Sequence, residues 1–217
     1  MLAANESVNY TQILLLLPGF VIGLTVHEFF HAWTAARLGD PTAKTMGRLT
    51  LNPLRHLDFF GSLMLVFIGF GWAKPVPVDP RYFRSPYRDM AMVAVAGPLS
   101  NLGLGIAFAF LLRLSVLFMD PTAASLPWPL MVLAQAVWIN IVLAIFNLIP
   151  IPPLDGSRIV SGFIPERWAR GYERFERIGP LLFIAVVLLA NFADVSVFGR
   201  IIMPVAQPLF RLFVGVG

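Results

Sequence analysis

The chain has no cysteine among its 217 residues, so disulfides, thiolate metal sites and cysteine nucleophiles are all excluded. Charge is the second shortage. Only 13% of residues are Asp, Glu, Lys or Arg, about half the share usual in a soluble globular domain. Met1 to Gln12 holds no Lys or Arg ahead of the first apolar run, so no cleaved signal peptide is expected. The apolar stretches lack the several carboxylates that a divalent-cation transport path needs. The net charge of +4 is modest and most basic residues lie in loops, which suits membrane orientation rather than nucleic-acid binding.

What abounds is apolar sequence: 58% of residues are hydrophobic. Apolar stretches run over residues 11–36, 59–72, 91–112, 128–151, 178–193 and 197–216. A membrane-spanning helix needs about 20 residues. Stretches 11–36, 91–112 and 128–151 meet that length and 178–193 is short. The last contains Arg200, Pro204, Pro208 and Arg211 and reads either as a broken span or as an interfacial amphipathic helix. The expected fold is an all-α polytopic membrane protein of about 5–6 membrane helices or half-helices, with a short re-entrant extended or β element. No repeat, low-complexity tract or linker divides residues 1–217, so one integral-membrane domain is expected.

Inside the first stretch stands His27-Glu28-Phe29-Phe30-His31. Residues four apart share a helix face, so both imidazoles can point at one ion. Glu28 beside them can take a proton from water, the arrangement of zinc peptidases. Ionisable groups within a membrane helix are costly and mark function; the plain alternative is a hydrogen-bonded polar cluster between helices. Two histidines need a third ligand, with a fourth position left to water. Asp155 is the first candidate. Pro150, Pro152 and Pro153 end a helix before it and Gly156 allows a sharp turn, so its carboxylate can face inward from an unwound end. His56 and Asp58 are rivals, the former read as a hydrogen-bonding loop residue and the latter as a helix cap.

Stretch 59–72 is too short for a full span and is expected to dip in and return. Loops 37–58, 73–90 and 155–177 then share one side. They carry Arg37, Lys44, Arg48, Arg55, Lys74, Arg81, Arg84, Arg88, Arg158, Arg167, Arg170, Arg174 and Arg177, all but three of the 16 basic residues, which makes that side cytoplasmic. The return also brings Asp155 to the depth of His27 and His31; a crossing would displace it by roughly 20–30 Å. Gly71 to Pro80 cannot be helical, with prolines at 75, 77 and 80, and Met46 to Asn52 reads as a short strand. Gly97, Gly103 and Gly105 are expected to let helices approach closely.

His27-Glu28-x-x-His31, Gly97-Pro98-Leu99-Ser100-Asn101 and Asn147-x-x-Pro150-x-Pro152-x-Leu154-Asp155-Gly156 together resemble, in order, the three signatures of the site-2 protease family of intramembrane zinc metalloproteases. The resemblance covers a catalytic core of about residues 15–165, with further helices over about 178–216. It implies one Zn2+ per chain held by His27, His31 and Asp155, and Glu28 as general base. It also implies a membrane-embedded strand region that engages substrate. Many members carry a PDZ or CBS domain; this chain has no room for either and resembles a minimal, core-only member. The implied activity is regulated intramembrane proteolysis of transmembrane-helix substrates in a bilayer, expected in a prokaryotic cell membrane with the site toward the cytoplasm. Asn147 and Asn101 are candidate oxyanion donors, Asn101 equally readable as a helix-packing amide. Val76 and Val78 are candidates for capturing substrate by strand addition. The alternative is a catalytically silent membrane protein of the same fold that binds client helices.

Overall fold

The computed structural model describes residues 10–59, 61, 63, 73–119, 125–192 and 197–215. Seven α-helices are described: α1 (Tyr10–Arg37), α2 (Thr42–Thr45), α3 (Pro86–Val116), α4 (Trp128–Leu148), α5 (Asp155–Ser161), α6 (Glu166–Phe192) and α7 (Val197–Val214). No sheet forms among the described residues; one isolated antiparallel bridge pairs Leu57 with Ala73. Three helices, α1 from Thr11, α3 and α4, are long and apolar enough to cross a membrane. The fold is that of an all-α membrane protein.

Local chemistry sets the helix limits. Pro86 opens α3 where its missing N–H costs nothing, and Asp89 accepts from the Ser85 N–H at 3.0 Å. Helix α4 stops at Leu148, just before Pro150, Pro152 and Pro153. Asp155 then begins α5, where an acidic first residue complements the helix dipole. Gly156 lies within α5 and makes no sharp turn. Its bare Cα is needed because a Cβ would collide with the carbonyls of Leu148 and Ile149.

Helices α1, α3 and α4 pack mutually, α5 docks on α3, and α7 lies against α4 and α3. The core joins Ala109, Val137, Ile141, Ile149, Leu154, Phe183, Ile202 and Ala206. Stretch 197–216 is therefore a continuous helix over Val197–Val214 despite its two prolines, docked through Ile202 and Ala206; it is not among the membrane-capable three. The apolar 178–193 stretch is mostly the second half of α6, whose charged first half begins at Glu166. Gly179 seats α6 on the proline turn, where any Cβ would strike Pro152.

Most of stretch 59–72 lies outside the described residues, but its flanks are in view. Besides the Leu57–Ala73 bridge, the Lys74 N–H donates to His56 O at 2.8 Å, so the chain returns to where it left. His31 in α1 meets Val93 in α3, and His27 meets Asp155 at the start of α5. The end of α1, the start of α3 and the end of α4 thus lie together.

Met46 to Asn52 is not a strand. Gly47 takes a left-handed φ of 66°, and the Arg48 N–H closes back on Ala43 O, so the segment turns. Its polar groups then meet side chains rather than a ladder: Thr50 O receives His56 Nε2, and Asn52 caps a short turn at Leu54. Gly103 also departs from expectation, with nothing within 4 Å of where its Cβ would stand; Gly105 makes only ordinary contact with Phe213.

Candidate metal centre

Four-residue spacing on α1 lays Gly19, Gly23, His27 and His31 along one stripe. The two glycines let α4 close in. A Cβ on Gly19 would lie 2.5 Å from Ala136 Cα, and one on Gly23 2.6 Å from Asn140 Oδ1. Beyond them both imidazoles are buried, with their Nε2 atoms 2.9 Å apart. Asp155 Oδ2 completes a triangle, 3.0 Å from His27 Nε2 and 3.2 Å from His31 Nε2.

Three atoms of this kind and spacing suit zinc, whose tetrahedral N and O ligands at about 2.0–2.1 Å stand roughly 3.3 Å from one another. Gly97 supplies a second sign of fit. A Cβ there would come within 2.5 Å of His31 Nε2 and 2.6 Å of His27 Nε2, so α3 offers bare backbone where the ligand atoms converge. His56 and Asp58 are not part of this cluster. His56 is wholly buried with Nε2 on Thr50 O at 2.7 Å, and Asp58 caps the Gly61 N–H at 2.8 Å.

Each imidazole is held from behind. His31 Nδ1 donates to Val93 O at 2.8 Å, at the turn where Pro98 deprives Ala94 O of its helical donor. His27 Nδ1 donates to Asn101 Oδ1 at 2.6 Å. Asn101 Nδ2 donates in turn to Gly23 O and to Asn140 Oδ1, both at 3.0 Å. Both N–H bonds of this buried amide are thereby taken, so Asn101 has none for a substrate oxyanion. The sequence reading of Asn101 as an oxyanion donor fails on that count, and its helix-packing alternative stands beside a hold on His27.

In front of the histidines lies a cavity of about 360 Å³, lined by His27, Glu28, Phe20, Leu24, Ala73, Pro75, Leu143, Phe146, Asn147, Pro153, Leu154 and Phe183. Asn147 spends one N–H on Leu143 O at 2.9 Å and carries a second. Glu28 Oε2 accepts the Val76 N–H at 2.9 Å. The extended strap Lys74–Asp79 crosses here, tied by Arg48 to Lys74 O at 2.6 Å and by Asp40 Oδ2 to the Asp79 N–H at 2.8 Å. Val76 is buried against Ala32 and Ala43, so neither its side chain nor its N–H is open to an added strand; Val78 packs beside it. The opposite edge carries Pro75 and Pro77, which have no N–H to give.

Sequence reasoning missed Arg48, Asp40 and Asn140. A polar amide amid an apolar 21-residue helix marks Asn140, and the glycine stripe of α1 marks its seat. Arg48 and Asp40 carried no signal beyond being charged residues in a loop.

Comparison with known proteins identifies the family. The pattern of Peptidase family M50 matches residues 118–190, which include Asn147 and Asp155. A Bacillus subtilis protein named as a zinc metalloprotease, YwhC, is 40% identical over 167 residues, covering 76% of each chain. Proteins named Rip2, likewise as zinc metalloproteases, are 33% identical in Mycolicibacterium smegmatis and 32% in Mycobacterium tuberculosis. Each alignment covers 81% of this chain, and 66% and 67% of the relative respectively. No solved structure matches significantly.

Proposed function

Because the chain belongs to Peptidase family M50 and is a zinc metalloprotease of the site-2 protease type, we propose that it cleaves peptide bonds in or beside transmembrane segments of other membrane proteins. One observation carries this reading: His27, one member of the His27–His31–Asp155 cluster, and Glu28 line an apolar cavity that borders two of the membrane-capable helices. The whole chain then acts as one membrane domain. Its Arg- and Lys-rich loops face the cytoplasm of a prokaryotic cell, the metal end lies toward that side, and the partners are transmembrane-helix substrates and the bilayer.

His27, His31 and Asp155 hold the metal. Zinc, when bound, supplies Lewis acidity that acidifies water and polarises a carbonyl. Glu28 acts as general base. With Oε2 fixed by the Val76 N–H, Oε1 is the atom that takes the proton from the attacking water. The cavity, with Phe146 and Phe183 on its wall, receives an unwound apolar stretch of substrate. The second N–H of Asn147, on the cavity wall beside His27 and Glu28, meets charge developing on the scissile carbonyl oxygen. Strand addition is restricted to the outer edge of the strap, where a substrate can donate to Pro75 and Pro77 but receive nothing. Asn101 serves as a hold on His27.

The test compares membrane-protein fragments from cells carrying the wild-type chain or Glu28→Gln. Cleaved transmembrane segments that appear only with the wild type support the proposal. An identical fragment pattern from two equally abundant, folded proteins overturns it.

A further inference from the structure

A carboxamide looks nearly the same either way round, so its orientation must be argued from its neighbours. Here backbone carbonyls decide it. Asn140 Nδ2 lies 2.9 Å from Ala136 O and 3.3 Å from Gly19 O, and a carbonyl oxygen only accepts. The nitrogen end of Asn140 is thereby fixed, and its oxygen end must face Asn101. Asn101 Nδ2 meets that oxygen and Gly23 O, so the oxygen of Asn101 must face His27. An oxygen at that place demands a proton on His27 Nδ1. The lone pair is then left on Nε2, the atom that converges with His31 and Asp155.

We propose that Asn140 is a positioning residue that fixes the tautomer of His27 through Asn101, relaying the polarity of Gly19 O and Ala136 O to the metal-facing nitrogen. The proposal rests on the zinc reading of the site but adds a residue 113 positions from His27, on another helix. Both amides are fully buried, so no solvent competes for the relay. The glycines of α1 belong to it. Gly19 and Gly23 leave two carbonyls reachable, and the bare Gly23 Cα makes room for the Asn140 carboxamide. His31 needs no relay, since Val93 O sets its tautomer directly.

Without Asn140, one N–H of Asn101 faces a void, and the amide can turn its nitrogen toward His27 and move the imidazole proton to Nε2. Outer partners of metal-ligating histidines are worth about 10–100-fold in metal affinity. Asn140→Leu removes the relay and retains bulk. Asn140→Asp, protonated in so apolar a place, is isosteric and can both accept from Asn101 and donate to Ala136 O.

The test uses full-length chain in lipid, with zinc affinity read by chelator competition and imidazole ¹⁵N resonances recorded with and without zinc at alkaline pH. Only three histidines contribute, so His27 can be assigned by substitution. The wild type should show His27 as the Nδ1–H form in both states. Asn140→Leu should bind zinc about 10–100-fold more weakly with mixed His27 tautomers, and Asn140→Asp should recover most of both. Unaltered His27 resonances and zinc affinity in folded Asn140→Leu overturn the relay. So does equal loss of affinity and thermal stability in both variants, which is the mark of a packing role. Failure of the zinc reading looks different: the wild type itself takes up no zinc, while its His27 tautomer still reports on the relay.

Discussion

The two walls of the metal site are built on opposite plans. Behind the imidazoles, where α1, α3 and α4 meet, Asn101 and Asn140 are sealed and bonded, and glycine appears where backbones touch. In front, Glu28, Asn147 and the strap border a cavity lined mainly by Phe, Leu and Pro. Buried polar groups rigidify a structure only when satisfied. The rear wall therefore has the character of a fixed mount, and the front wall that of a surface made for exchange. Damage to the rear should show first in metal binding, and damage to the front in turnover with the metal retained.

The largest effect is expected from Asp155→Ala, the proposed third ligand, where the walls join. It should remove most bound zinc, measured by elemental analysis, and lower cleavage by about 1,000-fold or more, since base and Lewis acid fail together. Retained zinc would move the third ligand elsewhere. Next comes Gly97→Ala, where a methyl group must press against both Nε2 atoms. Overpacking of this kind costs about 1–3 kcal/mol, to be seen as lower thermal stability together with weaker zinc binding.

Front-wall changes should be smaller and leave zinc in place. Val76→Pro deletes the N–H that holds Glu28 Oε2; losing a hydrogen bond to a charged group should slow cleavage by about tenfold at unchanged zinc affinity. A fall in zinc content would show the strap to be part of the mount instead. Asn147→Ala is expected to lower kcat by several-fold to about a hundredfold with little change in KM, the pattern of a contact made mainly in the transition state. An effect confined to KM would make Asn147 a residue of the binding surface only.

The same division explains what could be read from sequence. The convergence of His27, His31 and Asp155 was legible because metal chemistry favours those residue types at that spacing, and α1, α3 and α4 because spanning demands length and apolarity. The return between α1 and α3 followed from requiring Asp155 at the depth of the histidines, and the Leu57–Ala73 bridge shows its closure. What escaped depends on partners remote in sequence. Asn101 could not be told from an oxyanion donor until Gly23 and Asn140 were seen to occupy both its N–H bonds. Met46–Asn52 is read as a short strand from its sequence, which carries no record of Gly47 turning left-handed. Val76 seemed open to substrate, since no local pattern reveals that its N–H is spent on Glu28, 48 residues earlier.

The most direct test of the two-wall account is to measure zinc content and cleavage of a single-span substrate in the same liposome preparation of Glu28→Gln. Wild-type zinc content with cleavage reduced by at least about 100-fold is expected if Glu28 is the general base and not a metal ligand. Cleavage persisting near the wild-type rate in a zinc-loaded Glu28→Gln chain would contradict it.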